Sequence, residues 1–578
     1  MHRCVLVGVN AKYVHTNLAV RYLKAAAGEG VEICEVTIND RVENIVDRLL
    51  RLEADSYGFS CYIWNMDHIR RITEVLKKSL PEAVIFWGGP EVSYDAGALI
   101  KSFPWVDYIV AGEGETVFPK FLRALAAEDQ TALRALPSVW GRDFDGQSLA
   151  VVDNLDALKF PYTKADLDTL KGKIIYYESM RGCPFKCSYC LSSTLKQVRY
   201  LPLDRVLEEL DFFIDAGVRQ VKLVDRTFNV DLKRTKAIVS HLINRGGATN
   251  FHFEMAGDLF DEALLALIET APKGLMQFEI GIQSTWEPTL SAITRKTQLD
   301  RVAANVRRLV SFKNCHVHVD LIAGLPQEDY GRFGKSFDDA IALGADMLQL
   351  GFLKLLKGTK IREEADRYGY RFADFPPYEV IANDFISARE LHRLKDIETV
   401  LDRYYNAGIF KETLSWLLAS GHWAAPFAFF EAFADYWRAQ GYFDVGVSRD
   451  QLYAYLLAFL RQEIQDTAET GRLEALVKYD YLCQGHKSLP VFFKDHRPSK
   501  TESFELLKNE ALVQVCLPEL RDQAAKWRIR QVFFQYFDKG VLKKLGLTDK
   551  TGGSPGLCVF YEGSCRLVPE KFTEGVCQ

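Results

Sequence analysis

The chain has 578 residues, too many for one hydrophobic core, because single domains stop growing at roughly 250 to 300 residues and roughly two to four domains are therefore expected. Its 48% hydrophobic, 26% charged and 12% aromatic residues are those of an ordinary globular protein and exclude disorder and fibrous repeats. A net charge of −5 argues against nucleic acid as the default partner and leaves room only for a local basic groove.

The first residues, MHRCVLVGVNAKYVH, hold an apolar run too short for a secretory signal and read as a first strand. Up to about residue 130, short β-branched runs alternate with amphipathic helical stretches, the pattern of βαβ units in a parallel sheet. Strands are predicted at 4–9, 31–38, 56–63, 83–89 and 108–114. Their ends carry loop chemistry, namely Asn10, Ser60, Gly88-Gly89-Pro90 and Gly112-Glu113-Gly114-Glu115, and ligands bind at the carboxyl ends of such strands. VGVNAKYVH stands where a G-x-G-x-x-G would mark a dinucleotide site, so that ligand is not expected.

Residues 131–165 read as a linker with a hairpin predicted at Asp145-Gly146. A second βα series then opens at KIIYYESMRGC and continues with strands at 221–225, 251–257, 276–284, 316–326 and 347–356. Six such repeats over 166–390 predict a partial or full parallel barrel, with its chemistry at the carboxyl ends of the strands. Beyond about 390 the texture changes to aromatic-rich helices over 392–475 and shorter strand-like runs, LVQVCL and GLCVFYEG among them. WAAPFAFFEAFADYWRAQGYF is broken by Pro426, Glu431, Asp435 and Arg438 and reads as a buried helix, so no membrane span is expected.

Twelve cysteines are spread along the chain, and most read as small buried hydrophobes, Cys558, Cys565 and Cys577 included. Only Cys183, Cys187 and Cys190 cluster, just after the first strand of the second series. Thiolates suit zinc or an iron–sulfur cluster. Three on one loop, with no second pair of metal-ligating residues, leave one coordination position open, as catalytic metals require.

CPFKCSYC resembles the C-x-x-x-C-x-aromatic-C loop of radical S-adenosylmethionine (SAM) enzymes. The resemblance implies that Cys183, Cys187 and Cys190 hold a [4Fe–4S] cluster whose fourth iron chelates SAM. One electron then cleaves SAM to methionine and a 5′-deoxyadenosyl radical. It places Tyr189 beside the adenine. Downstream, VKLVDRTFN resembles the second-strand motif and offers Asp225, FEIGIQS the fourth strand with Glu279, Gln283 and Ser284, AITRKT supplies Arg295, and IAGLP the fifth-strand turn with Gly324. For Asp225, Glu279 and Arg295 an ordinary barrel salt bridge stays open as the alternative.

An α/β domain directly before such a barrel resembles the cobalamin-binding subclass, and GGPEVSYD and AGEGETVFPKFL are similar to its loops. The implied corrin contacts are Asn10, Ser60, Gly88, Gly89, Gly112 and Gly114, each of which fits a plain βα turn as well. The Asp-x-His-x-x-Gly motif that ligates cobalt in other cobalamin enzymes is absent, and His15 and His68 read as surface residues, so the lower ligand of cobalt is left open.

The expected fold is thus α/β, with an N-terminal flavodoxin-like (Rossmann-type) parallel sheet over 1–130, a radical SAM partial (β/α)6 barrel over 166–390, and a mainly helical α+β domain over 391–578. The last resembles an extension of unknown function on some B12-binding radical SAM proteins. The expected function is methylation of an unactivated carbon of a small molecule, using the cluster, SAM and cobalamin in a cytoplasmic enzyme served by an electron donor such as flavodoxin or ferredoxin. Cobalamin-dependent cyclisation, rearrangement or oxidation without methyl transfer is the alternative, and a cofactor-sensing binding protein is a third.

Overall fold

The computed structural model describes residues 2–195, 197–549 and 554–573. They divide into two compact units, Met1–Leu391 and His392–Gln578.

The first unit opens with β1 (Cys4–Asn10), β2 (Val31–Thr37), β3 (Ser56–Ser60), β4 (Val84–Gly88) and β5 (Tyr108–Val110), parallel in the order 2-1-3-4-5. β1 is buried at all seven residues because helices cover both faces of the sheet. Ile45, Ile69 and Ile100 close one face and Val20, Phe121 and Leu125 the other. The strand order reverses between β1 and β3, so a crevice opens at their carboxyl ends, beside Asn10 and Ser60.

β6 (Val139–Gly141) adds antiparallel to β5, so part of the segment read as a linker completes the sheet edge. The hairpin expected at Asp145-Gly146 is corrected: the turn falls at Arg142-Asp143, where the Gly141 N–H donates to the Phe144 carbonyl. Gly146 instead packs on the Trp140 ring, where a Cβ would come within 2.6 Å.

The barrel strands are β7 (Ile174–Tyr177), then β10 (Gln220–Leu223), β11 (Asn250–Met255), β12 (Met276–Gln283), β13 (His316–Ala323) and β14 (Met347–Phe352). They pair in parallel in the order 7-10-11-12-13-14. Two short strands, β8 (Met180–Arg181) and β9 (Arg199–Tyr200), form an antiparallel ribbon at the top of β7. Along β12, Met276, Phe278, Ile280 and Ile282 are buried, while the alternate set Gln277, Glu279, Gly281 and Gln283 is less so, as period-two alternation requires. Among the described residues β7 and β14 do not pair, so the barrel is partial. Its free β7 edge is covered by the first loop of the N-terminal domain, with the Ile174 N–H on the Val14 carbonyl at 2.8 Å and Thr16 Oγ1 on the Ile174 carbonyl at 2.9 Å. A ribbon of β15 (Arg371–Phe372) and β16 (Val380–Ala382) follows.

The second unit carries the expected helices, including Lys411–Ala419, Pro426–Ala439, Arg449–Glu463 and Thr467–Leu482, around Tyr404, Phe433, Trp437 and Phe459. Pro426–Ala439 is the buried segment anticipated, and no described helix is long and apolar enough to cross a membrane. A three-stranded antiparallel sheet, β17 (Phe533–Phe537), β18 (Gly556–Tyr561) and β19 (Ser564–Leu567), holds the GLCVFYEG run on β18. LVQVCL is corrected from strand to helix Glu510–Cys516. Asn509 accepts from the Leu512 N–H to start it, and Leu512, Val513 and Cys516 form its buried face while Val515 faces outward. Cys558 is buried on β18 and Cys565 half-buried on β19; Cys577 lies outside the described residues.

Candidate functional site

A cavity of about 1300 Å³ lies in the first unit between the carboxyl ends of the N-terminal sheet and the loops above the barrel. Asn10, Ser60, Gly88, Gly89, Gly112 and Gly114 all line it. The two polar members are also tied into their own wall: Ser60 Oγ accepts from Asn17 at 2.7 Å, and Asn10 donates to the His15 carbonyl and to Glu35. Gly89 and Gly112 have left-handed φ values of 111° and 86°, and a Cβ would meet the backbone of Cys61 at 2.7 Å or of Ala150 at 2.5 Å. An apolar arm of the cavity, lined by Leu6, Leu23, Gly58, Phe86 and Phe118, runs between the sheet and helices Leu18–Ala27 and Phe118–Ala126.

On the barrel side, the segment between β8 and β9, described at residues 182–195 and 197–198, carries the three cysteines. Cys183 Sγ lies 3.4 Å from Thr227 Oγ1. Arg295 reaches Cys187 Sγ at 3.7 Å, Tyr189 Oη at 3.5 Å and the Gly281 carbonyl at 2.5 Å. Burial pushes the Cys187 thiol up, and Arg295 opposes it. Gln283 closes β12 at a left-handed φ of 74°, beside a bulge in the β12–β13 pairing, a strained backbone for a side chain to occupy. Ser188 Oγ, Gln283 Oε1, Arg295 Nε and Asp320 Oδ1 are buried without a hydrogen-bond partner among the described residues. Such orphaned groups near three cysteines are what a polar ligand would satisfy.

Other predicted residues are engaged elsewhere. The Asp225 carboxylate is fully buried and anchors a loop, accepting from the Ser179 N–H at 2.7 Å, Ser179 Oγ at 2.5 Å and the Met180 N–H at 3.2 Å. Burial pushes it up to about 7. Ser284 is likewise taken up locally, donating to Glu328 at 2.7 Å and accepting from the Trp286 N–H. Glu279 stands among the less buried residues of β12, where burial works against its charge, and His252 at 3.0 Å with Lys222 at 2.9 Å overcomes this and holds it at about 2. Gly324 ends β13 at a left-handed φ of 86°, and its carbonyl accepts from Tyr370 and Asn383 at 3.0 Å each. His15 lines the cavity and shares a 2.8 Å hydrogen bond with Tyr176, whereas His68 sits on the Asp40 carbonyl outside it.

Sequence reasoning missed several residues. Arg226, next to the Asp225 it selected, lines the cavity and faces Glu254 at 3.7 Å. Tyr62 and Trp64 stack at 4.2 Å on the opposite wall. In the two loops chosen for their glycines, the acidic residues bind the barrel: Glu91 and Asp95 take Lys357 at 3.2 and 2.9 Å, and Glu113 and Glu115 take Arg181 at 3.2 and 2.7 Å.

Three family models match this chain: the B12 binding domain over residues 4–122, the radical SAM superfamily over 177–340, and a protein of unknown function, DUF4080, over 366–554. The cobalamin-dependent radical SAM methyltransferase TokK of Streptomyces tokunonensis is 26% identical over 352 residues, 57% of this chain and 51% of TokK. The chain spans about half the length of the curated relatives it matches. Among solved structures, the radical SAM methyltransferase TsrM of Kitasatospora setae, with cobalamin and a [4Fe–4S] cluster bound, aligns at a TM-score of 0.54 and 18% identity over 65% of this chain and 79% of TsrM. The cobalamin-dependent SAM radical enzyme OxsB aligns at 0.57 and 14% identity over 83% of each chain. At these identities the likeness is one of fold.

The radical SAM domain implies a [4Fe–4S] cluster and SAM, and the B12 binding domain implies cobalamin. The residues present fit these groups in kind, with three cysteines on one loop, orphaned polar atoms around it and a large cavity whose apolar arm enters the N-terminal domain, although among the described residues no three His, Cys, Asp or Glu side chains are gathered closely enough to hold a metal ion. The chain thus carries a B12 binding domain, a radical SAM domain and a C-terminal domain of the DUF4080 family.

Proposed function

We propose that the protein is a cobalamin-dependent radical SAM methyltransferase that methylates an unactivated carbon of a small-molecule substrate. The observation that carries this reading is the cavity itself, which is lined both by the strand-end loops of the B12 binding domain and by residues flanking the cysteines. Bound together, the cluster and SAM supply a hydrogen-abstracting radical and cobalamin supplies a transferable methyl group.

Cys183, Cys187 and Cys190 would hold the cluster, and Tyr189 would flank the adenine. Arg295 and Gln283 present the polar atoms suited to the amino-acid end of SAM, with Gly324 admitting close backbone approach. Asn10, Ser60, Gly88, Gly89, Gly112 and Gly114 would meet the corrin, and the apolar arm would take its nucleotide tail. Arg295 also lowers the cost of negative charge on the cysteine loop, since it already reaches Cys187. Asp225 and Ser284 shape the loops from behind. The same reading carries a cytoplasmic setting and an electron donor such as flavodoxin or ferredoxin.

Anaerobic reconstitution with iron, sulfide and cobalamin, followed by reduction with labelled SAM, tests it. About four iron and one cobalamin per chain are expected, with 5′-deoxyadenosine formed even without substrate and abolished in Cys183→Ala. Zinc in place of iron, or no deoxyadenosine from the reduced protein, would overturn the reading. Deoxyadenosine with no methyl transfer to any extract-derived acceptor would move the reaction to cyclisation, rearrangement or oxidation.

A further inference from the structure

The loop that carries the cysteines begins after Arg181 and ends before Arg199, and these two arginines are paired directly opposite each other in the β8–β9 ribbon. Two like charges in that position repel. What lies between them is Glu113 of the N-terminal domain: one oxygen is 3.2 Å from Arg181 Nη1, the other 2.6 Å from Arg199 Nη2, with a further contact to Arg199 Nη1 at 2.8 Å. Glu115 and Glu178 complete the surroundings of Arg181 at 2.7 and 2.5 Å. None of these five side chains is more than 15% exposed, so neither solvent nor salt replaces the missing partner if one is removed. Glu113 also accepts from the Val152 N–H at 2.6 Å, which fixes it to its own domain.

Glu113 stands between Gly112 and Gly114, both of which line the cavity. A single carboxylate therefore ties both ends of the cysteine loop to the wall that faces the other half of the site.

We propose that Glu113 is a positioning residue that fixes the cysteine loop against the cobalamin-domain wall and so sets the separation of the two reactive centres. This rests on the function proposed above. Group transfer between separately bound centres is sensitive to displacements of about 1 Å, which can cost about 100-fold in rate.

The test uses the full chain, reconstituted anaerobically, as wild type, E113A, the isosteric E113Q, and R199K. Two readouts are taken: hydrogen–deuterium exchange of residues 182–198, and the magnetic dipolar coupling between the reduced cluster and cob(II)alamin. In E113A and E113Q exchange of 182–198 is expected to rise about tenfold or more while β11–β13 stay protected, and the coupling to broaden or weaken at unchanged iron and cobalt content. R199K, which keeps the charge and loses the fork, is expected to fall between. Unchanged exchange and coupling in E113Q would overturn the proposal, as would a rise spread equally over β11–β13, which marks a merely structural ion pair. Should wild type bind neither iron nor cobalamin, the proposed function falls, and the exchange readout alone still decides whether Glu113 holds the loop. If E113A does not fold, E113Q carries the test.

Discussion

At the level of single residues, Asp225 shows how burial and hydrogen bonding divide a carboxylate's role. Three donors converge on it, yet burial dominates and raises it to about 7. An acid raised on folding lends stability that is full below its unfolded value of about 3.9 and is lost as pH rises through the folded value. Asp225→Asn keeps an oxygen for the Ser179 and Met180 amides and offers its NH2 to Ser179 Oγ, but it does not titrate. Its melting temperature relative to wild type is therefore expected to rise between pH 4 and 8, with the two nearest at pH 4. A difference that stays flat across this range in thermal unfolding followed by circular dichroism would show that Asp225 is already ionised at low pH. The residue was legible in VKLVDRTFN as the polar candidate of its strand end, but its partner was not. Sequence does not reveal that Asp225 turns to the β7–β8 backbone while its neighbour Arg226 lines the cavity.

Among the elements, helix Lys411–Ala419 is started by a neighbour. Its own N-cap, Phe410, makes no side-chain cap, and Asp480 on helix Thr467–Leu482 accepts from the N–H groups of Glu412 and Thr413 at 3.2 and 2.8 Å. Asp480→Ala strands the buried Thr413 amide and the partly buried Glu412 amide and is expected to cost about 2 kcal/mol. Burial raises Asp480 to about 7, so the deficit is expected to be larger at pH 5 than at pH 8, measured by urea unfolding of the full chain at both values. A deficit that grew with pH would mean that the ionised form is the cap. Long-range caps of this kind leave no local trace, whereas parallel strands do, since the apolar runs at 4–9 and 276–284 returned as β1 and β12. LVQVCL misled for the opposite reason: β-branched residues suggested a strand, and one exposed valine at helical spacing was too weak a signal to outweigh them. The glycine loops were legible as strand-end turns. That Glu91, Asp95, Glu113 and Glu115 in the same loops bind cations of the barrel depends on pairs more than 60 residues apart, which local pattern cannot join.

For the molecule as a whole, the consequence of building one cavity from two α/β layers is that a ligand filling it should stabilise both. The B12 binding domain implies cobalamin as that ligand, and in the proposed arrangement its nucleotide tail would occupy the arm between the sheet and helices Leu18–Ala27 and Phe118–Ala126. A ligand that binds only the folded state stabilises by about 2.7 kcal/mol when present at about 100 times its dissociation constant. For a chain of this size that corresponds to a rise of about 2 to 4 °C in melting temperature. Leu23 lines the arm from helix Leu18–Ala27, partly buried against the core, so a larger side chain there would extend into the arm without replacing any residue of β1 or β3. Leu23→Trp is therefore expected to fold, to retain the iron–sulfur cluster, and to lose both the thermal shift with hydroxocobalamin and the retention of cobalamin through gel filtration. Wild-type-like retention in this variant would show that the tail does not enter the arm, and would confine the corrin to the mouth of the cavity, where Gly89 and Gly112 line its rim.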